Sequence, residues 1–114
     1  MKLHYAAPSP FVRKVRMAAI ELGLFDRIKI IDTSVAPGKT DVDYGQSVNP
    51  LRKIPALELD DGSTLFDSQL ICEYLDSMDG NNVLFPSSGE ARWPVLSGAA
   101  VANGMMDAAV LVLY

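Results

Sequence analysis

Lys2-Leu3-His4-Tyr5-Ala6, then Ala7-Pro8-Ser9-Pro10-Phe11-Val12-Arg13-Lys14-Val15-Arg16, passes from one hydrophobic period to another within fifteen residues. Its first five residues form a short extended segment closed by Pro8 and Pro10, which reads as a strand over 2–6. The period then changes. Phe11, Val15, Ala18, Ala19 and Leu22 recur on one face of a 3.6-residue repeat. Arg13, Lys14 and Arg16 supply the opposite, solvated side. Ser9 has the side chain of an N-cap, and Pro10 suits the first helical position, where its missing N–H leaves no bond unmade. Gly23 suits a left-handed stop. The spacing therefore predicts a helix over 10–22.

Working toward the C-terminus, Arg27-Ile28-Lys29-Ile30-Ile31-Asp32 is short and β-branched, a second strand. Strand, helix and strand make a βαβ unit with parallel pairing. Residues 33–50 are polar, with a short helix expected over 41–46. Ala56-Leu57-Glu58-Leu59 alternates as a strand does. Asp60-Asp61-Gly62-Ser63 is hairpin chemistry, and Thr64-Leu65-Phe66 returns antiparallel. Asp67 and Ser68 open a helix whose apolar stripe is Leu70, Ile71, Tyr74, Leu75 and Met78. Residues 1–78 are thus an α/β domain, a βαβ-ββα arrangement on a four-stranded mixed sheet. Residues 79–90, rich in Gly, Asn, Ser and Pro, read as a linker. Residues 91–114 read as one helix. That helix is apolar on most sides and needs partners all round, so the protein is expected to continue or to be covered by another subunit.

Composition narrows the function classes. Of 114 residues, 49% are apolar and 21% charged, the balance of a globular protein with a buried core. Ten Lys and Arg stand against fourteen Asp and Glu, a net charge of −4, which gives phosphate backbones nothing to bind; no nucleic acid is expected. One cysteine, Cys72, rules out an internal disulfide framework. One histidine, His4, rules out a His-based metal site or a Ser-His-Asp triad; no metal is expected. The N-terminus has no apolar signal region, and the longest clean apolar run, Ala108–Tyr114, is short of a spanning helix. No membrane association is expected, and the reducing cytoplasm is the expected compartment.

Three places can carry chemistry. At Ser9-Pro10-Phe11, the helix mouth offers N–H groups and the positive end of a dipole, which stabilise a thiolate. A hydroxyl hydrogen bond of roughly 1–2 kcal/mol lowers a thiol pKa by about one unit. The alternative is that Ser9 only caps the helix. At Ile54-Pro55, a cis bond would turn the backbone groups of Ile54 outward to pair with a peptide-like ligand. A trans proline would merely start a strand. At Asp67-Ser68, the helix start suits a carboxylate and Asp67 an ammonium, together the two charges of an α-amino acid. Ordinary capping is again the alternative. Cys72 reads as a small buried hydrophobe, and His4 as a packing or surface residue rather than a catalytic one.

The order of these three signals carries a resemblance. Ser9-Pro10-Phe11-Val12-Arg13-Lys14-Val15-Arg16 resembles the first-helix motif of the serine- and cysteine-type soluble glutathione S-transferases. Asn49-Pro50-Leu51-Arg52-Lys53-Ile54-Pro55-Ala56-Leu57 resembles their cis-proline segment. Leu65-Phe66-Asp67-Ser68 with Ile71-Cys72-Glu73-Tyr74-Leu75 resembles their acidic-Ser helix. The resemblance implies a thioredoxin-like domain and glutathione as co-substrate, extended along the proline edge. It implies that the Ile54 backbone pairs with the cysteinyl part, that Asp67 and Ser68 hold the γ-glutamyl head, and that Arg52 or Lys53 meets the glycyl carboxylate. Ser9 takes the position of the thiol-activating residue, with Tyr5 on the first strand as the second candidate.

The activity so implied is transfer of the glutathione thiolate to a small electrophile in detoxification, by a homodimer. Residues 91–114 match only the beginning of the family's helical domain, so the chain resembles a truncated member. The alternative function is a non-catalytic binding or protein-interaction module of the same fold. Disulfide reduction is disfavoured by serine at the helix mouth.

Overall fold

A computed structural model describes residues 1–33, 42–80 and 82–113. The first strand forms as β1 (Lys2–Tyr5), and the first helix as α1 (Pro10–Glu21). Ser9 is its N-cap, Pro10 stands at the helix start, and Gly23 follows the helix with φ 71°. The buried stripe of α1 is Val12, Val15 and Ala19. Phe11, expected on that face, is half-exposed and Val12 is buried in its place, one residue round the helix. The second strand is shorter than its β-branched run predicted: Phe25–Arg27 forms a 3₁₀ turn and β2 covers Lys29–Asp32. The short helix, α2, spans Val42–Ser47; residue 41, the expected first member, lies outside the described residues.

Strands β3 (Ala56–Glu58) and β4 (Thr64–Leu65) form the hairpin. Its turn differs from a tight two-residue Asp-Gly turn. Leu59 N–H donates to Ser63 C=O and Gly62 N–H to Leu59 C=O, and of Asp61 and Gly62 only Gly62 has positive φ, at 89°. Helix α3 spans Ser68–Ser77 and α4 spans Arg92–Leu113.

The sheet order is β2-β1-β3-β4. β1 and β2 pair in parallel with Leu3 opposite Ile30. β1 and β3 are antiparallel with Leu3 opposite Leu57, and β3 and β4 antiparallel with Leu57 opposite Leu65. This is the four-stranded mixed sheet of a thioredoxin-like fold. Leu3 and Leu57 face Val15 and Ala19 of α1 and Ile71, Cys72 and Leu75 of α3, forming the core. Each fully buried aliphatic side chain there contributes about 1.5–3 kcal/mol. Because side chains alternate along a strand, His4 faces the other way, where its ring meets Tyr44 of α2 with centroids 5.2 Å apart.

Asp76, at the end of α3, is 1% exposed. Its carboxylate accepts the backbone N–H groups of Val83, Leu84 and Phe85 at 2.7–2.8 Å, fastening the segment between α3 and α4. Helix α4 docks through polar ties. Lys14 Nζ donates to Gln69 Oε1 at 2.8 Å and to Asn103 Oδ1 at 2.9 Å, and Arg92 pairs with Glu73 at 2.8 Å. Lys14 is therefore a bridge between helices, where the sequence pattern made it solvated. None of the described residues of α4 is buried, and Trp93, Val101, Met105 and Leu111–Leu113 are exposed. Counting only uninterrupted apolar runs underestimated this helix. Within its 22 residues an 18-residue stretch has mean hydropathy 1.6, so the helix is long and apolar enough to cross a membrane by length and composition.

Candidate functional site

The sheet topology brings the three candidate segments to one end. Ser9 follows the C-terminal end of β1. Ile54 and Pro55 precede Ala56, the partner of His4 near that same end. β4 runs antiparallel to β3, so Phe66 and Asp67 emerge there too. A shallow depression of about 640 Å³ lies at the other end of the sheet, lined by residues of both charge signs, among them Lys2, Arg27, Asp26 and Asp60. It is remote from all three segments.

Ser9 Oγ accepts the N–H of Val12 at 3.2 Å, so it caps α1 as expected. A hydroxyl that accepts through a lone pair still has its proton to give. The half-exposed Ser9 O–H is thus available to an acceptor at the helix mouth. Fewer N–H groups are open than a bare helix end would offer. Ser9 N–H goes to Ala6 C=O, Arg13 N–H to Ser9 C=O, and Pro10 has none. Among the described residues no acceptor takes the Phe11 N–H. Sequence reasoning assigned Phe11 to the core stripe and missed this donor; the Pro-X order at the helix start is the signal that marks it.

Tyr5, the second candidate, ends β1 on the face that α1 covers. The Arg16 guanidinium lies over its ring, 5.2 Å from the centroid.

The Ile54–Pro55 bond is cis, and Pro55 is buried. Among the described residues, neither backbone group of Ile54 makes a hydrogen bond. The segment leading to it is held firmly. Asn49 and Tyr44, 2% and 5% exposed, both donate to the Lys53 carbonyl, at 2.9 and 2.6 Å. Burial pushes the Tyr44 hydroxyl up from its ordinary value near 10 to about 12. Neither role was legible in the sequence: Asn49 stands in the segment leading to the proline with no sign of its acceptor, and Tyr44 lies eleven residues before Pro55. Arg52 adopts φ 54° and its side chain lies across α2, so closely that a Cβ on Gly45 would sit 2.7 Å from Arg52 Nε. Arg52 and Lys53 are both exposed.

Asp67 is the N-cap of α3, with Oδ1 accepting Gln69 N–H at 3.0 Å. It is exposed, and a carboxylate has further lone pairs for a cation. Ser68 occupies the first helical position and is only 3% exposed. Capping belongs to Asp67 alone, and Ser68 sits within the first turn. Cys72 is buried, with its thiol pushed up by burial to about 11, which makes it inert at neutral pH.

Taken together, a hydroxyl donor at one helix mouth, an open strand-edge residue and an exposed carboxylate at a second helix mouth line one end of the sheet. The family model described as "Glutathione S-transferase, N-terminal domain" matches residues 8–78. An uncharacterized GST-like protein of Escherichia coli, YibF, is 34% identical over 112 residues, covering 97% of this chain and 52% of that protein. A crystal structure of a Pseudomonas fluorescens glutathione transferase family member with bound glutathione superposes with a TM-score of 0.91 at 44% identity, covering 97% of this chain and 54% of that one. A second structure, with bound S-(propanoic acid)-glutathione, gives a TM-score of 0.84 at 42% identity, covering 98% and 52%. The chain spans about half the length of these relatives.

Proposed function

Because this chain belongs to the glutathione S-transferase family through its N-terminal domain, we propose that it forms the glutathione-binding half of a transferase that joins the glutathione thiolate to a small electrophile. Glutathione lies along the Ile54 edge as a short extra strand. Its γ-glutamyl head carries an ammonium for Asp67 and a carboxylate for the first turn of α3, at Ser68. Its glycyl carboxylate meets Arg52 or Lys53. Its sulfur faces Ser9.

The observation that carries this reading is the Ser9 hydroxyl, which accepts from Val12 N–H and keeps its own proton for a ligand. Polarised by that bond and seated at the positive end of α1, it donates to the sulfur and favours the thiolate over the thiol. The electron pair of the thiolate attacks the electrophilic carbon, the C–S bond forms, and the leaving group departs with its electrons. The thiol proton leaves to solvent before the attack. Holding both reactants at the helix mouth supplies the proximity part of the acceleration. The reading further makes the working assembly a homodimer covering the apolar surface of α4 and the compartment the cytoplasm, with no metal in the reaction.

Titration calorimetry of the chain with glutathione and with S-methyl glutathione tests it. Saturable binding of both is expected, with the free thiol releasing a proton on binding above neutral pH and the methylated compound releasing none. Absence of binding at several millimolar glutathione overturns the proposal. Binding without conjugation by a protein that carries the helical half would assign the fold to a non-catalytic module.

A further inference from the structure

The Lys53–Ile54 peptide unit is held from one side only. Its carbonyl oxygen receives the Tyr44 hydroxyl at 2.6 Å and the Asn49 amide at 2.9 Å. Two donors fill the two lone pairs of that oxygen. Both are fixed before they arrive. The Tyr44 ring packs on His4, and His4 is held between Thr33 Oγ1 at 2.8 Å and Glu58 Oε2 at 2.6 Å. The Asn49 side chain is oriented by its own oxygen, which accepts Leu51 N–H at 2.9 Å, while Asn49 N–H returns to Tyr44 C=O at 3.0 Å. A peptide unit is planar, and in a trans unit the N–H points opposite to the C=O. Clamping the Lys53 carbonyl therefore aims the Ile54 N–H away from α2, into the open edge, where no described group takes it.

We propose that Tyr44 and Asn49 are positioning residues for ligand binding: they clamp the Lys53 carbonyl and so set the direction of the Ile54 N–H that pairs with an extended peptide ligand. This inference deepens the glutathione reading and rests on it. The strand edge is made rigid by two buried side chains whose polar ends are turned to the Lys53 carbonyl. Backbone recognition depends on direction, so a peptide plane free to rock loses affinity without losing any side chain of the site.

The test uses the chain as it stands, with Tyr44→Phe and Asn49→Ser made separately and Ile28→Val, in the core and remote from the edge, as the baseline for simple destabilisation. Two quantities are read: the dissociation constant for glutathione, and the order parameter of the Ile54 amide from nitrogen-15 relaxation. The clamp variants are expected to weaken glutathione about fivefold and to lower the Ile54 order parameter from about 0.85 toward 0.6. Ile28→Val is expected to lower the melting temperature comparably and to change neither. Clamp variants indistinguishable from Ile28→Val in both readings overturn the proposal. If the parent chain binds no glutathione, the order parameter still decides. A fall confined to the clamp variants upholds the clamp while the glutathione reading fails, and an unchanged Ile54 overturns the clamp as well.

Discussion

Lys14 and Asn103, 89 positions apart in the chain, meet with Nζ 2.9 Å from Oδ1, and Gln69 completes the junction at 2.8 Å from the same ammonium. One half-buried charge thereby joins three helices: α1, which carries Ser9 at its mouth, α3, which carries Asp67, and α4. Replacing Lys14 by Met keeps the aliphatic stem and removes the donor. The two amide oxygens then lose a charge-assisted bond, at a cost of about 1–2 kcal/mol. Urea denaturation of Lys14→Met is expected to show that loss, and limited proteolysis to show faster cleavage within α4 than in the parent. Equal cleavage rates would refute a docking role for Lys14.

Asp76 answers three backbone donors at once. In Asp76→Asn one carboxylate oxygen becomes an NH₂ that opposes a main-chain N–H. The expected cost is about 2–3 kcal/mol, because the lost bonds are ionic on one side and their acceptor, the Asp76 carboxylate, is buried. The check is the denaturation midpoint. A change below 0.5 kcal/mol, the scale of an ordinary surface substitution, contradicts the role.

Ser9→Ala removes a cap and a thiol donor together. The cap is worth about 1 kcal/mol, read in thermal melting. The donor is worth about one unit of thiol pKa. The pH–rate profile for conjugation of a chlorinated aromatic is therefore expected to move about one unit alkaline, with a rate near neutrality about tenfold lower. Tyr5→Phe is expected to leave the profile in place. A profile that moves in Tyr5→Phe instead transfers the role to Tyr5.

Alkaline stability follows from two buried acids. Tyr44 and Cys72 titrate in the folded chain at about 12 and about 11, above their ordinary values near 10 and 9. Between the unfolded and folded values the native state holds more protons than the unfolded one, so stability falls as pH rises. The contribution is complete below about pH 9 and is lost between about 9 and 12. Melting temperature measured against pH is expected to decline over that window. Cys72→Ala should flatten its lower part and Tyr44→Phe its upper part. A decline that is the same in both variants assigns the titration elsewhere.

Gly45→Ala tests which cation serves the glycyl carboxylate. The added methyl would stand 2.7 Å from Arg52 Nε and 2.8 Å from its Cγ, so the Arg52 side chain must leave α2. Alanine is the better helix former by about 1 kcal/mol, which offsets part of the packing loss. If Arg52 is the anchor, glutathione affinity falls severalfold with little change in stability. If Lys53 is, affinity holds in Gly45→Ala and falls in Lys53→Ala.

Much of this site is written locally. Ser9 and Pro10 cap α1 because a hydroxyl and a ring nitrogen suit a helix start in any context, and Asp67 caps α3 for the same reason. The order of strands and helices follows from hydrophobic period and turn residues, so the mixed sheet was legible. The assignments that failed depended on distance along the chain. Lys14 reads as solvated on a helical wheel because its partners are 55 and 89 residues away. Asp76 stands beside the apolar stripe of α3 with no local sign that three later N–H groups converge on it. Phe11 and Val12 exchange places because the rotation of α1 on the sheet is fixed by Leu3, Leu57 and Ile71, and not by α1 alone.

Which segments become strands and helices, and which side chains stand at the helix mouths, is set locally along the chain, because capping, period and turn chemistry act within a few residues. The gathering of Ser9, Ile54 and Asp67 at one end of the sheet, the cis Ile54–Pro55 bond, and the closing of Tyr44 and Asn49 on one carbonyl come from the assembled fold. Those outcomes depend on pairing register and on desolvated hydrogen bonds between distant residues, and such bonds are satisfied only when the whole sheet is assembled.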